Sequence, residues 1–311
     1  MHQYCETILN GTPKYTSRNG AGLNFFNLEK SLIICADDFA LNDSVSDAVV
    51  QLARAGRISA TSVLSLSPLW PTHALKLKEQ RGLVDVGLHL DLTSEFARTA
   101  GYGASLGRVM LRSFGHGYHS TQLDSAIESQ LDKFESIWGG PPEHIDGHQH
   151  IHQFPGIRSC LLRVLCARYS SLNERPWVRV SQVRPAHFKS NVISLTGAQR
   201  LKEMLVAEGF NLSPLLLGVY RFNLNQEQYR VAFNEWLHWV QQMQARDQDL
   251  SAHNLPPTIM CHPGVQAQVG DAIGWARSVE FDYLSSEAFR NDLSAASLRL
   301  VRGSECIRKN K

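Results

Sequence analysis

Nowhere does this chain stay apolar for long. Its best window, Leu212 to Tyr220, falls far short of the ~18 residues a membrane-spanning helix requires, which argues against a membrane protein of that kind. Charge of one sign is equally scarce. Lys and Arg number 31 against 29 Asp and Glu, and no run of either sign stands out. A net charge of +2 so distributed offers neither a nucleic-acid surface nor a polybasic membrane patch. The six cysteines (Cys5, Cys35, Cys160, Cys166, Cys261, Cys306) form no Cys-x-x-Cys pair. In a chain this long they read as buried thiols of a reducing compartment rather than a disulfide frame. The first thirty residues lack the apolar core of a signal peptide, because Glu6, Asn10 and Pro13 interrupt every candidate run. A cytoplasmic protein is therefore expected. Internal repeats, low-complexity segments and a linker are also missing, so the 311 residues divide only at the amino terminus. Residues 1–29 are polar and aperiodic and read as a loosely structured extension, and residues 30–311 as a single domain.

What the chain does have is an abrupt junction. In Ile33-Ile34-Cys35-Ala36-Asp37-Asp38-Phe39-Ala40-Leu41 an apolar run ends in two adjacent carboxylates, and a helix start follows at once. The run is apolar without alternation, as in a strand buried on both faces. Asn42, Asp43 and Ser44 offer N-caps, with Asp47 at capping-box spacing from Ser44. Val45, Ala48, Val49, Leu52 and Ala53 give one apolar helical face, stopped by Gly56. Carboxylates at the C-terminal end of a parallel strand sit where α/β folds place their active sites. Adjacent like charges there are costly without a cation or a proton. Asp37-Asp38 is thus read as half of a metal site.

Further along, strands are predicted at 58–66, 84–92, from 144, and at 177–183, 258–262 and 298–302. Helices are predicted at 73–80, 121–138, 156–169, 198–208, 225–246 and 286–296. Residues 93–119, rich in Gly and Ser, give no clear element and read as a functional loop. The aromatics Tyr229, Phe233 and Trp236 share one face of the helix over 225–246 and read as core. Strand and helix alternate throughout, which calls for a mainly parallel sheet.

The other half of the site lies in three later segments. Gly87-Leu88-His89-Leu90 puts a histidine inside a strand, two residues after a glycine that admits close approach of another chain. Asp146-Gly147-His148-Gln149-His150-Ile151-His152 has three histidines at spacing two, which on an extended segment face one side. Imidazole with carboxylate suits Zn²⁺, Mn²⁺, Fe²⁺ or Co²⁺, and an oxygen-rich variant with waters suits Mg²⁺. Cys261-His262-Pro263-Gly264 ends a late strand in a turn, a position suited to acid or base work. Arg179, near the end of its strand, is a candidate to orient Asp37 or to hold a sugar hydroxyl.

In this order these pieces, with Ile58-to-Ser62, Pro155 and the later Arg277-x-x-Glu280-x-x-x-Leu284, resemble the YdjC-like carbohydrate deacetylases, the family of chitooligosaccharide deacetylase and the hopanoid-associated HpnK-like proteins. The resemblance covers about residues 31 to 303. It implies an α/β fold: a distorted (β/α) barrel of the glycoside hydrolase/deacetylase type, TIM-barrel-like with fewer than eight regular strands. It also implies one divalent metal ion, Mg²⁺ with Zn²⁺ as the alternative, and removal of acetyl groups from N-acetylated amino sugars or chitooligosaccharides. Carried over by position, Asp38, His89 and His148 are the expected ligands, Asp37 the base and His262 the acid. His150, His152 and Asp146 are expected to support them or to meet substrate. Two departures from the family pattern stand out: Ala40 where glycine is common, and Cys35 where a polar residue is common. The expected partner is an acetylated amino sugar rather than nucleic acid or membrane, with a homodimer left open. A signalling receiver domain, which also has an acidic pair after its first strand, is excluded by His89 on the third strand and by the length of the chain. A different metal-dependent hydrolase, cleaving a cyclic amide or a phosphoester, and a non-catalytic sugar-binding relative stay as alternatives.

Overall fold

The computed structural model describes residues 30–183, 194–246 and 255–309. The expected extension at 1–29 lies outside them. Among the described residues nine strands pair, all in parallel: β1 (Ser31–Phe39), β2 (Ala60–Val63), β3 (Asp85–Leu90), β4 (His144–Gly147), β5 (Trp177–Arg179), β6 (Leu212–Ser213), β7 (Leu216–Leu217), β8 (Thr258–Cys261) and β9 (Arg299–Leu300). Their order is β6-β5-β4-β3-β2-β1-β8-β7, with β9 added beside β1. Only Pro214 and Leu215 separate β6, which pairs with β5, from β7, which pairs with β8. This interrupted strand links the two ends of the sheet, and a bridge from Val183 to Leu216 reinforces the seam. The result is a parallel sheet nearly closed into a barrel, distorted as the sequence implies.

Around it lie α1 (Asp43–Arg54), α2 (Trp70–Lys78), α3 (Glu95–Thr99), α4 (Leu106–Phe114), α5 (Ser120–Trp138), α6 (Ile157–Arg168), α7 (Ala198–Ala207), α8 (Gln226–Arg246), α9 (Gly274–Ser285), α10 (Glu287–Ala295) and α11 (Gly303–Lys309). Asn42, not Ser44, caps α1, accepting the Val45 N–H at 2.9 Å. The expected loop at 93–119 instead holds α3 and α4. Ser94 caps α3 by accepting the Ala97 N–H at 3.2 Å, and Val109 buries one side of α4. The five residues of α3 are too few to display the 3.6 period, and the glycines at 103, 107, 115 and 117 obscure that of α4. On α8, Phe233 meets Tyr283 and Phe289 at ring distances of 5.2 and 5.7 Å, so its aromatics are core as expected.

Both faces of the sheet are covered, which is why β1 is apolar without alternation: Leu32 to Ala36 are wholly buried. Side chains still alternate, and the inner series runs Ile33, Cys35, Asp37 on β1, Ser62 on β2, Gly87 and His89 on β3, His144 and Asp146 on β4, and Trp177 and Arg179 on β5. Above Asp85, which opens the series on β3, the interior therefore turns from apolar to charged towards the carboxyl end of the strands. At the lower end, Trp177 Nε1 and the Ser304 N–H and hydroxyl all donate to Asp85 (3.0, 2.8 and 2.5 Å), and Gly303 lies against the Trp177 ring. The carboxy-terminal α11 thus seals that end.

The close approach expected at Gly87 is made by His144, whose imidazole fills the space above it and stacks on Trp177 at 4.5 Å. A Cβ on residue 87 would come within 2.4 Å of that ring. Gly87→Ala should therefore cost roughly 3 kcal/mol or more, beyond ordinary overpacking. Chemical denaturation at neutral pH measures this, and a loss below 1 kcal/mol would show that His144 moves aside freely.

Candidate metal centre and active site

Neighbouring residues of a regular strand point to opposite faces, so two adjacent carboxylates should not reach one site. At the end of β1 they do. Pairing with β2 shifts register between Ala36 and Phe39, and Asp38 adopts a left-handed backbone (φ 69°). A bulge of this kind re-aims one side chain, and Asp37 and Asp38, each 2% exposed, end in the same cluster. Ala40 repeats the left-handed conformation (φ 71°), in which a side chain costs roughly 1 kcal/mol. That conformation accounts for a glycine serving in its place. Ser46 and Ser67 pin the Ala40 N–H and C=O at 3.0 and 2.6 Å.

Asp38 divides its two oxygens. Oδ1 lies 3.1 Å from His148 Nδ1 and 3.5 Å from His89 Nε2. Oδ2 accepts a hydrogen bond from Arg277 Nη2 at 2.7 Å. The ligand atoms of Asp38, His89 and His148 lie within 4.8 Å of one another, the spread of donors around a single ion. Burial opposes ionisation of Asp38, but Arg277 and the two imidazoles outweigh it and hold the carboxyl well below the usual carboxylate range. His89 donates from Nδ1 to Asp146 Oδ1 at 2.5 Å, which directs Nε2 at Asp38. Burial lowers His89, but Asp146, helped by Asp38 and Asp37, reverses this and pushes it up to about 10.

Asp37 is gripped by the buried Arg179, whose Nη1 and Nη2 donate to its two oxygens at 2.6 and 2.7 Å. Arg179 also lies 3.1 Å from Asp146 Oδ2. His262 brings Nε2 to 3.9 Å from Asp37 Oδ2. Burial lowers the His262 ring to about 4 against the pull of Asp37 and Asp38, so it is neutral at neutral pH. Asp37, Asp38, His89, His148, Asp146, Arg179 and His262 are thus one connected cluster.

His150 and His152 are not among the donors. The segment predicted as extended is a 3₁₀ turn, His148–Gln153, with Gln149 and His150 in left-handed conformations (φ 53° and 62°). Its three histidines consequently diverge, which overturns the single shared face. His148 meets Asp38, His150 Nδ1 lies 2.9 Å from Ser181 Oγ, and His152 Nε2 donates to the Arg179 carbonyl at 2.9 Å. His152 thereby supports the strand that carries Arg179.

A second group, Cys35, His144 and Asp146, also has ligand atoms within 4.8 Å. Its centre is taken by the Ser62 hydroxyl, 3.3 Å from Cys35 Sγ, 3.2 Å from His144 Nε2 and 2.5 Å from Asp146 Oδ2. Burial raises the Cys35 thiol well above its usual range. The group is a hydrogen-bonded support beneath Asp146. Ser62 and His144 carry no sequence signal beyond alternation. The roles of Arg277 and Glu280 could have been suspected from their spacing of one helical turn, but not their targets.

Residues 31–295 match the family model described as YdjC-like protein. The chitooligosaccharide deacetylases of Yersinia pestis (strain Pestoides F) and Yersinia pseudotuberculosis serotype O:1b (strain IP 31758) are each 31% identical over 136 residues, 42% of this chain and 53% of theirs. The chain thus spans about half the length of these curated relatives. Among solved structures, a provisionally named cellobiose-phosphate cleavage protein of Enterococcus faecalis V583 superposes with a TM-score of 0.63 at 19% identity, over 89% of this chain and 99% of that one. That likeness concerns the fold.

Glu280, fully buried on α9, accepts hydrogen bonds from Tyr220 Oη (2.6 Å) and the His262 N–H (2.5 Å). Burial pushes its carboxyl up to about 7 despite both donors. A carboxyl raised on folding costs nothing below its unfolded value of 4.5, and its cost grows as pH rises through the window up to 7. Glu280→Gln should remove that cost. Measured by urea unfolding, its stability relative to the parent should improve by roughly 2 kcal/mol between pH 5 and pH 8. An unchanged difference would mean that Glu280 does not bind the proton.

Proposed function

The chain belongs to the YdjC-like family, and from that premise we propose that it is a metal-dependent carbohydrate deacetylase, hydrolysing the N-acetyl group of an acetylated amino sugar or chitooligosaccharide and releasing acetate. Residues 30–311 act as one catalytic domain. The observation that carries this reading is the convergence of Asp38, His89 and His148 beside a second carboxylate, Asp37, and an imidazole, His262.

The donor set fits a divalent cation: one ionised carboxylate oxygen and two imidazole nitrogens, one of them oriented from behind by Asp146. Mg²⁺ is proposed from the family with waters completing its shell, and Zn²⁺ suits the two nitrogen donors better. Such an ion supplies Lewis acidity towards a carbonyl oxygen and acidity to a water. The chain's own residues supply the proton transfers. Asp37, its carboxylate fixed by the Arg179 fork, takes the proton of the attacking water. His262 starts neutral, 3.9 Å from Asp37, and receives that proton before giving it to the departing nitrogen. An amine leaves an amide readily only once protonated. Asp37 and His262 are both present, which weighs against a non-catalytic sugar-binding relative. A different hydrolase using the same ligands would act on a cyclic amide or a phosphoester instead.

Acetate release from N-acetylglucosamine oligomers, together with metal analysis of protein purified without added ions, tests the reading. Asp37→Asn should keep its metal and lose turnover by roughly 10²–10⁴-fold, the usual contribution of a general base. His148→Ala should lose both. A His148→Ala protein with normal metal content would overturn the ligand assignment, and release of phosphate rather than acetate would overturn the reaction.

A further inference from the structure

Arg277 is buried, and its guanidinium occupies half of Asp38. Three of its nitrogens are committed. Nη2 donates to Asp38 Oδ2 at 2.7 Å, Nε donates to Asp271 Oδ2 at 2.6 Å, and Nη1 lies 3.5 Å from the His262 carbonyl. The arginine cannot retreat easily. Its own carbonyl accepts the Gly264 N–H at 3.1 Å, and its Cβ lies so close that a Cβ on residue 264 would stand 3.2 Å away. Asp271 is fixed in turn, since its Oδ1 accepts the Ile273 N–H at 3.0 Å.

Two physical consequences follow. With Oδ2 held by the guanidinium, only Oδ1 faces His89 and His148, so Asp38 can offer a cation a single oxygen. A fixed positive charge on the same carboxylate also works against any second cation. An arginine beside an aspartate weakens that group's hold on a proton by about one to three decades, and a divalent ion on the carboxylate meets the same field with twice the charge. Asp271 partly offsets this by sharing the guanidinium.

Resting on the ligand assignment above, we propose that Arg277 is a positioning residue that holds Asp38 to one-oxygen coordination and restrains the site's affinity for its divalent ion, with Asp271 setting the strength of that restraint. The pair makes the ion exchangeable rather than permanently held. It also ties the carboxylate of one barrel strand to the turn that carries His262.

Calorimetric titration of metal-stripped protein with Mn²⁺, at fixed pH and ionic strength, tests this without reference to activity. Arg277→Gln keeps a hydrogen-bond donor for Asp38 and removes the charge. It should tighten Mn²⁺ binding by at least about tenfold. Arg277→Lys keeps the charge but loses the fork that spans Asp38 and Asp271, and should bind Mn²⁺ more weakly than Arg277→Gln does. Asp271→Asn keeps its acceptor for Ile273 and frees the guanidinium's charge, and should weaken binding by about threefold or more. A merely structural role would weaken binding in all three variants, so the opposite signs are decisive. If Arg277→Gln does not fold, Arg277→Met, which removes the same charge, takes its place with the same tightening expected. Equal or weaker binding by Arg277→Gln, or unchanged binding by Asp271→Asn, overturns the restraint while leaving the ligands intact. A parent protein that takes up no Mn²⁺, or a His148→Ala variant that binds it as well as the parent does, overturns the ligand assignment and the restraint together.

Discussion

Two carboxylates, adjacent in sequence and almost without solvent, share one end of a barrel, and each has its own arginine. That double pairing is the constraint on which the site depends. A single buried carboxylate without a partner would take up a proton, and two would repel each other. Arg179 answers Asp37 from β5, and Arg277 answers Asp38 from α9. The bulge at Asp38 makes both arginines necessary, because it turns inward a side chain that regular pleating would have turned away. Local backbone strain, charge pairing and active-site geometry are here one problem with one solution.

The rest of the architecture positions these partners. Parallel registers align His89 with Asp146 across β3 and β4, which makes their 2.5 Å hydrogen bond a by-product of strand pairing. Asp146 then faces Arg179, Ser62 and His89 at once, and it is held well below its usual range by Arg179 and His89 against the effect of burial. Removing any member leaves a buried charge uncompensated, which costs more than the contact itself. Rigidity in this layer is a consequence of electrostatics as much as of packing.

Much of this was legible in the residues. The apolar run closed by Asp37-Asp38 marked the strand and its functional end, the glycine before His89 marked a close approach, and the alternation of strands and helices marked a parallel sheet. What escaped had specific causes. In 93–119 the five residues of α3 are too few to display a period, and glycines within and around α4 obscure its own. The His148–His152 run has the spacing of a strand, but Gln149 and His150 adopt left-handed conformations that neither spacing nor composition announces. The partners of Arg277 and Glu280 lie more than two hundred residues away in one case and beside the same turn in the other. Only the assembled fold could reveal them.

The stopper at the opposite end of the barrel also bears on traffic. Asp85 gathers Trp177 and Ser304 into a floor, and His144, Cys35 and Ile33 fill the bore above it. Among the described residues, these side chains close that end of the barrel beneath the carboxylates. Whatever reaches Asp37 and Asp38 enters from the rim formed by the carboxyl ends of the strands and departs by the same doorway. A ligand seated at that rim therefore stands in the way of the next.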